Sequence, residues 1–411
     1  MTQEQMPKIT FCIPSKSNVR YLKTCIPSIR KNAYRTDHDI IIFVDSDTDG
    51  TVEWLETVKD KYNLTYYVNP DLGNTLYGIG KAYDFCVEKS HTDIFMIFHA
   101  DMMLGKHADY YAYKHLTEKT VVCSTRVEPP LHPNNGEKIL MDFGLWPEDF
   151  NEIAFDRFVE SQLTETYVTD GIFAPWMMYK DEFLSIGGHD YIMKSAREDS
   201  DVFNRLLLSG FTFVQPWNSL VYHLTGRGGQ FQHGELSQEL ELKSAEWKQL
   251  MMNSTREFVR KWGTVAKHSP LMHPMVSPRY NINFIVHNCD INFLSLLEPW
   301  CDKIFVDCDI EEYIAHEQPN TEFDLRKRLV NTESEINADI IVEFDVKHMS
   351  QDDFNLLQQL PDIIKDSGAL GKFELGVYTI TINALTEYQS HLSRLDSEWY
   401  INKLKRLQYD I

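Results

Sequence analysis

Four short, largely apolar runs punctuate the first hundred residues: Ile9–Ile13, Ile40–Val44, Leu64–Val68 and the IFMIF core of Asp93–Phe98. Runs of this length, apolar rather than strictly alternating, read as strands buried on both faces. Helical patterns lie between them. Leu22, Ile26 and Ile29 form one apolar stripe after the polar turn SKSN, and Val52–Tyr62 and Gly78–Lys89 follow. Strand and helix in alternation predict an α/β fold, a mainly parallel sheet with helices on both faces. Such a sheet binds ligands beyond the carboxyl ends of its strands. Asp45, after IIIFV, and Asp101, after IFMIFHA, occupy that position.

Farther along, Thr125–Gly144 is rich in Pro and polar residues and reads as irregular. Helices are expected over Glu148–Gln162, over Asp199–Ser209 with Gly210 as its stop, and over Glu235–Trp262 with Gly263 after it. Gly171–Tyr179 reads as an apolar strand. The stretch HSPLMHPMVSPRYN, with Pro270, Pro274 and Pro278, has the composition of a linker. Beyond it the alternation restarts in INFIV (282–286), KIFVD (303–307), DIIVEF (339–344) and FELGVYTITI (373–382). The predicted organisation is a first domain over 1–266, a linker over 267–278 and a smaller α/β domain over 279–411. A chain of 411 residues exceeds the usual size of one core, which agrees with two domains.

Apolar residues make up 43% of the chain and charged ones 25%, a composition ordinary for soluble proteins. No apolar run approaches the roughly 18 residues that span a bilayer, and MTQEQMPKIT lacks the basic-then-apolar pattern of a signal peptide. A soluble, cytoplasmic protein is expected. Seven cysteines without a CxxC pair read as reduced core thiols. The net charge of −21 opposes binding to nucleic acid or anionic lipid. Residues 279–411 carry 12 Lys and Arg against 24 Asp and Glu, so the C-terminal part is not a polyanion-binding tail.

Several residues could carry chemistry, each with a structural alternative. In VDSDTDG, Asp45 can accept hydrogen bonds from a nucleobase or ribose; Asp in such turns also caps helices. In FHADMML, Asp101 can bind a divalent metal that bridges diphosphate oxygens, with His99 touching metal, ribose or only backbone. His223 follows the strand-like Ser219–Tyr222; an imidazole beside a carboxylate suits Mn²⁺ better than Mg²⁺. In TGRGGQFQHG, Arg227 could clamp a diphosphate from a closing loop, or the loop is ordinary surface. Glu198 and Asp199 open a helix, where a base could sit and where the helix dipole also favours carboxylates. Asp201 and Arg205, four apart, read as a surface pair.

The order of these motifs resembles the inverting family 2 glycosyltransferases of GT-A fold, over residues 8–263. ITFCIPSKSNVRYLKTCIPSI looks like the family's opening strand and helix, and DSDTDGT is similar to its DDGSTDGT turn, one residue short. HAD, residues 99–101, stands in the place of the metal-binding DxD motif. GGHDYIMKSAREDSDVFNRLLLSGF resembles the family's GGFDE…EDxDLxxRLxxxGF segment, and EFVRKWG (257–263) a frequent family ending. The departure is His99, where the family usually has an acid.

The resemblance implies a transferase for a nucleoside diphosphate sugar, uridine diphosphate being the commonest nucleotide, with Mn²⁺ or Mg²⁺ as cofactor. Asp199 would be the general base and Glu198 its neighbour at the acceptor site. Asp101 and His223 would hold the metal. Pro14, Ser15, Asp45, His99, Ala100 and Arg227 would line the donor. Trp176, in FAPWMMY, would offer an aromatic platform to an acceptor, a glycan before a nucleic acid. Residues 279–411 fall outside the resemblance; acceptor positioning and assembly into a homo-oligomer are both open for them. Two other classes stay in view: a nucleotidyltransferase, against which IPSKSNVR lacks the glycine-rich phosphate loop, and a non-catalytic binding or scaffold relative, which His99 keeps open.

Overall fold

The structure, a computed structural model, describes residues 6–71, 76–225, 238–331 and 338–395. Contacts divide the chain into two units: 1–249 with 268–275, and 250–267 with 276–411.

The first unit opens with β1 (Thr10–Lys16), α1 (Val19–Asn32), β2 (Asp39–Ser46), α2 (Thr51–Tyr62), β3 (Leu64–Val68), α3 (Ile79–Lys89) and β4 (Ile94–Ile97). These match the expected alternation to within a few residues. Ile40, Ile41, Ile42, Phe43 and Val44 are all buried, as a strand covered on both faces requires. On α1, Leu22, Cys25, Ile26 and Ile29 form the buried stripe. The acidic turn after β2 divides its labour. Asp47 caps α2 by accepting from Thr51 N (2.8 Å) and Val52 N (2.9 Å), and Asp49 accepts from Val19 N at the start of α1 (2.9 Å).

The unit continues with β5 (Met102–Leu104), α4 (Ala108–Tyr113), β6 (Thr120–Cys123), β7 (Thr125–Glu128), β8 (Ile139–Leu140), α5 (Glu152–Gln162), β9 (Val168–Thr169), β10 (Trp176–Tyr179), α6 (Lys180–Ser185), α7 (Glu198–Leu208), β11 (Thr212–Pro216), β12 (Leu220–His223) and the part of α8 (Gln238–Trp262) up to residue 249. The large sheet has the order β3-β2-β1-β4-β10-β6-β11-β9, and only β10 and β9 run against the rest. A four-stranded sheet has the order β5-β12-β7-β8. The chain passes from the large sheet to the small one three times, between β4 and β5, β6 and β7, and β11 and β12. Ser124 Oγ and Ser219 Oγ, in two of those crossings, lie 2.7 Å apart.

Thr125–Gly144, expected to be irregular, holds β7 and β8: TRVE is short but wholly buried between β12 and β8. The strand expected from Gly171 begins only at Trp176, past Pro175, whose nitrogen cannot donate to a ladder. The pair Asp201–Arg205 is not on the surface. Both side chains are fully buried, Arg205 Nε donates to Asp201 Oδ2 at 2.7 Å, and the other nitrogens reach the carbonyls of Ile186 and Gly188. The charged helix start is thereby tied to the GGHD turn before it.

In the second unit a six-stranded sheet has Leu329–Asn331, Lys303–Val306, Ile282–His287 and Ile340–Asp345 in parallel, followed by Tyr378–Ile382 and Gly371–Leu375 antiparallel. FELGVYTITI, read as one strand, is a hairpin. Gly376 (φ 58°) takes the left-handed conformation that a tight turn needs, and the two halves pair. Residues 250–262 of α8 pack in this unit, where Arg260 bonds the fully buried Glu298 (2.7 Å), which Arg328 also reaches (2.5 Å). Among the described residues no helix is long and apolar enough to cross a membrane. The seven cysteines are free thiols, six of them buried.

Candidate active site

The carboxyl ends of β1, β2 and β4 line one edge of the large sheet, and the expected donor residues gather there. Pro14 and Ser15 lie at the end of β1 beside Phe43 and Val44. Ser15 is 2% exposed, and its Oγ has no hydrogen-bond partner. Asp45, also buried, accepts from Asn69 Nδ2 (2.9 Å) and from Tyr77 N (3.0 Å). Both bonds go to Oδ1, so the carboxylate is held in one orientation. Ala100 is buried in the turn between β4 and β5.

Three adjacent strands of the small sheet build the next part. Asp101 immediately precedes β5, His223 ends β12 opposite Met102, and Glu128 ends the neighbouring β7. His223 Nε2 lies 3.6 Å from Asp101 Oδ1, and His99 Nδ1 lies 4.0 Å from the same oxygen. One ligand atom from each of His99, Asp101 and His223 falls within 4.8 Å of the others. The far side of the His223 ring is engaged, with Nδ1 2.8 Å from Glu128 Oε1. A carboxylate behind an imidazole fixes its tautomer and leaves the other nitrogen as a ligand. Burial alone would raise the Glu128 carboxyl. The hydrogen bond with His223, the Arg126 guanidinium at 2.7 Å and Lys138 at 2.9 Å hold it well below the usual range instead. Burial lowers the His99 imidazole to about 4 against the opposing pull of Asp101, so it is neutral near pH 7 and free to coordinate. Two imidazole nitrogens and one carboxylate oxygen fit a divalent transition metal.

The third part is the start of α7. Arg197 (φ 67°) turns the chain into the helix, and Glu198, Asp199 and Asp201 occupy its first turn. Asp201 is spent on Arg205. Asp199, partly buried, accepts from Ser200 N at 2.6 Å. Burial, and then the charge of Asp199, push the Glu198 carboxyl up to about 8, and its Oε2 is sealed from solvent without a partner.

Two expected residues do not join this arrangement. Trp176 is 2% exposed and packs on Phe95, Phe183 and Phe203, so it has no open face for a sugar. Its central strand buries both faces. Arg227 lies outside the described residues. Residue-level reading missed Asn69, Glu128 and Tyr83. Asn69 follows β3 directly, so the strand-end rule that selects Asp45 and Asp101 selects it too. Glu128 ends a strand hidden in a Pro-rich stretch, and Tyr83 lies on a helix whose pattern announces only packing.

Residues 10–184 match the family model described as glycosyl transferase family 2. No curated protein matches the chain. Among solved structures it is similar to residues 1–349 of S. aureus TarS, with TM-score 0.39 and 10% identity over 62% of this chain and 74% of that one. A second S. aureus TarS structure is similar with TM-score 0.40 and 12% identity, over 61% of this chain and 44% of that one. Residues 10–184, from β1 to α6, thus form a glycosyl transferase family 2 domain, and the match marks the protein as a glycosyltransferase.

Proposed function

We propose that this enzyme transfers a sugar from a nucleoside diphosphate donor to an acceptor hydroxyl with inversion at the anomeric carbon, Asp199 serving as general base. The observation that carries the reading is the meeting of His99, Asp101 and His223 just past β4, with Ser15 and Asp45 at the ends of β1 and β2 in the same sheet. Asp45 and Ser15 contact the nucleoside, uridine in the first instance, with Arg227 on the diphosphate. Asp101, His223 and His99 would hold a divalent cation, Mn²⁺ before Mg²⁺, which when bound offsets charge on the diphosphate oxygens. Asp199 takes the proton of the acceptor hydroxyl as that oxygen attacks from the face opposite the diphosphate. The bond to the diphosphate breaks, and its electron pair leaves with that group. Glu198 stands beside the acceptor. The acceptor is a glycan, and residues 279–411 position it or join copies of the chain. The cytoplasm, where nucleotide sugars are made, is the setting.

The test is thermal stability of the full chain with uridine, guanosine, cytidine and thymidine diphosphates, each with Mn²⁺, Mg²⁺ or a chelator. Ligand at a hundred times its Kd stabilises a protein by about 2.7 kcal/mol. One nucleotide should raise Tm only when metal is present, and not in Asp101→Ala. If no nucleotide shifts Tm under any condition, the donor site is wrong.

A further inference from the structure

Tyr83, on α3, is 4% exposed, and its hydroxyl makes no hydrogen bond. Glu198 Oε2, at the start of α7, is likewise sealed and unpartnered. A buried polar atom left unpaired costs roughly 1–3 kcal/mol, so native structures seldom keep one without a use.

The two helices that carry these atoms pack closely. A Cβ at Gly80 would come within 2.8 Å of His189 Cβ and 3.3 Å of Glu198 Cβ, so only glycine permits the approach. Tyr83 lies three residues on, on the same face of α3. Its ring stacks with His99 (6.3 Å, 28°) and with His189 (5.8 Å, 27°). Asp84, the next residue, anchors His189 by accepting from its backbone N (3.0 Å) and pairing with its Nδ1 (2.7 Å). The phenol is therefore held in place rather than free to turn away. Burial, and then the charges of Glu198, Asp101 and Asp199, push it well above the usual tyrosine range. With its ring on His99 and its helix packed against Glu198, Tyr83 stands between the His99, Asp101 and His223 cluster and the start of α7.

We propose that Tyr83, together with Glu198, is a specificity-determining residue that reads one hydroxyl of a sugar substrate. The phenol O–H donates to the substrate oxygen, and the substrate O–H donates to the Glu198 carboxyl. The proposal rests on the transferase reading above. It adds Tyr83, which neither the motifs nor the family match names, as the partner of Glu198. A sugar hydroxyl suits the place because it both accepts and donates, and a bare diphosphate could not satisfy the two groups together.

The experiment compares wild type, Tyr83→Phe, Glu198→Gln and the double variant. Each is titrated with the nucleoside diphosphate that stabilises the protein most and with the same nucleotide carrying glucose, galactose or their N-acetylamino forms. If the donor sugar is read, Tyr83→Phe weakens the sugar nucleotide about tenfold, the worth of one hydrogen bond, and leaves the bare nucleotide unchanged. If an acceptor sugar is read, both affinities hold and the KM for a mono- or oligosaccharide acceptor rises about tenfold with kcat kept. In either case the double variant loses little more than one single, since each group alone cannot complete the bridge. Tm of Tyr83→Phe stays at or above wild type, whereas a merely structural hydroxyl would lower it.

The proposal fails if Tyr83→Phe changes none of these constants, if it weakens bare and sugar nucleotide alike, or if its loss multiplies with that of Glu198→Gln. If wild type transfers sugar, Asp199→Asn does not, and Tyr83→Phe is silent, the recognition role alone falls. If wild type binds and transfers nothing, both readings fall together.

Discussion

His223 Nδ1 lies 2.8 Å from Glu128 Oε1, so a carboxylate at the end of the neighbouring strand β7 decides which nitrogen His223 presents to Asp101. Replacing Glu128 by Gln keeps the shape and removes the charge. Partners of this kind are typically worth about 10- to 100-fold in metal affinity. The Mn²⁺ concentration for half-maximal transfer should rise by that factor in Glu128→Gln, while affinity for the nucleotide at saturating metal holds. An unchanged metal titration would show that His223 needs no orienting carboxylate.

Asp199 is partly buried and bonds only its own neighbour Ser200 among the contacts described, which leaves it able to face a substrate. Asp199→Asn should lower kcat by about 10²–10⁴, the usual worth of a positioned base. Donor-induced stabilisation should persist, because the residues proposed to bind the donor lie outside α7. Near wild-type turnover in that variant would rule Asp199 out as the base.

Glu198 gives a pH dependence with a definite sign. Its carboxyl ordinarily titrates at 4.5 and is pushed up to about 8 in the folded protein, by burial first and Asp199 second. The folded state holds this proton more tightly than the unfolded state. The stability tied to protonated Glu198 is therefore present in full below about 4.5 and lost as pH rises towards about 8. Glu198→Gln cannot ionise, so the Tm of the variant minus that of wild type should climb between pH 5 and 8. A difference that is flat across that window contradicts a raised Glu198.

Arg205 is fully buried with Asp201 and two backbone carbonyls. Arg205→Ala leaves a buried carboxylate and those carbonyls unanswered, which typically costs about 3–5 kcal/mol. Urea denaturation should show that loss. A cost below about 1 kcal/mol, the range of surface pairs, would mean that solvent reaches the pair.

Much of the fold could be read from residue patterns, for reasons visible in particular elements. Ile40–Val44 can only be a doubly covered strand, because no exposed strand tolerates five apolar residues in a row. Elements whose signal is short or ambiguous were harder. Trp176 reads as a platform or, more readily, as core, since an aromatic ring suits both, and its packing on Phe95, Phe183 and Phe203 decides for core. Arg205 reads as a surface partner because i, i+4 spacing is the same on either face of a helix. FELGVYTITI reads as one strand until Gly376 is seen to take a positive φ.

By itself, the sequence determined the class of sheet, which strand ends carry acids, and that Glu198 and Asp199 open a helix. These follow from local periodicity and turn chemistry, which act over a few residues. Tertiary structure alone decided that His99, Asp101 and His223 share one place, that Glu128 backs His223, and that Tyr83 lies against His99. Asp101 and His223 are more than a hundred residues apart, and only the antiparallel pairing of β5 with β12 brings them within 3.6 Å. Long-range strand pairing depends on how the whole core packs, and no short stretch of sequence encodes it.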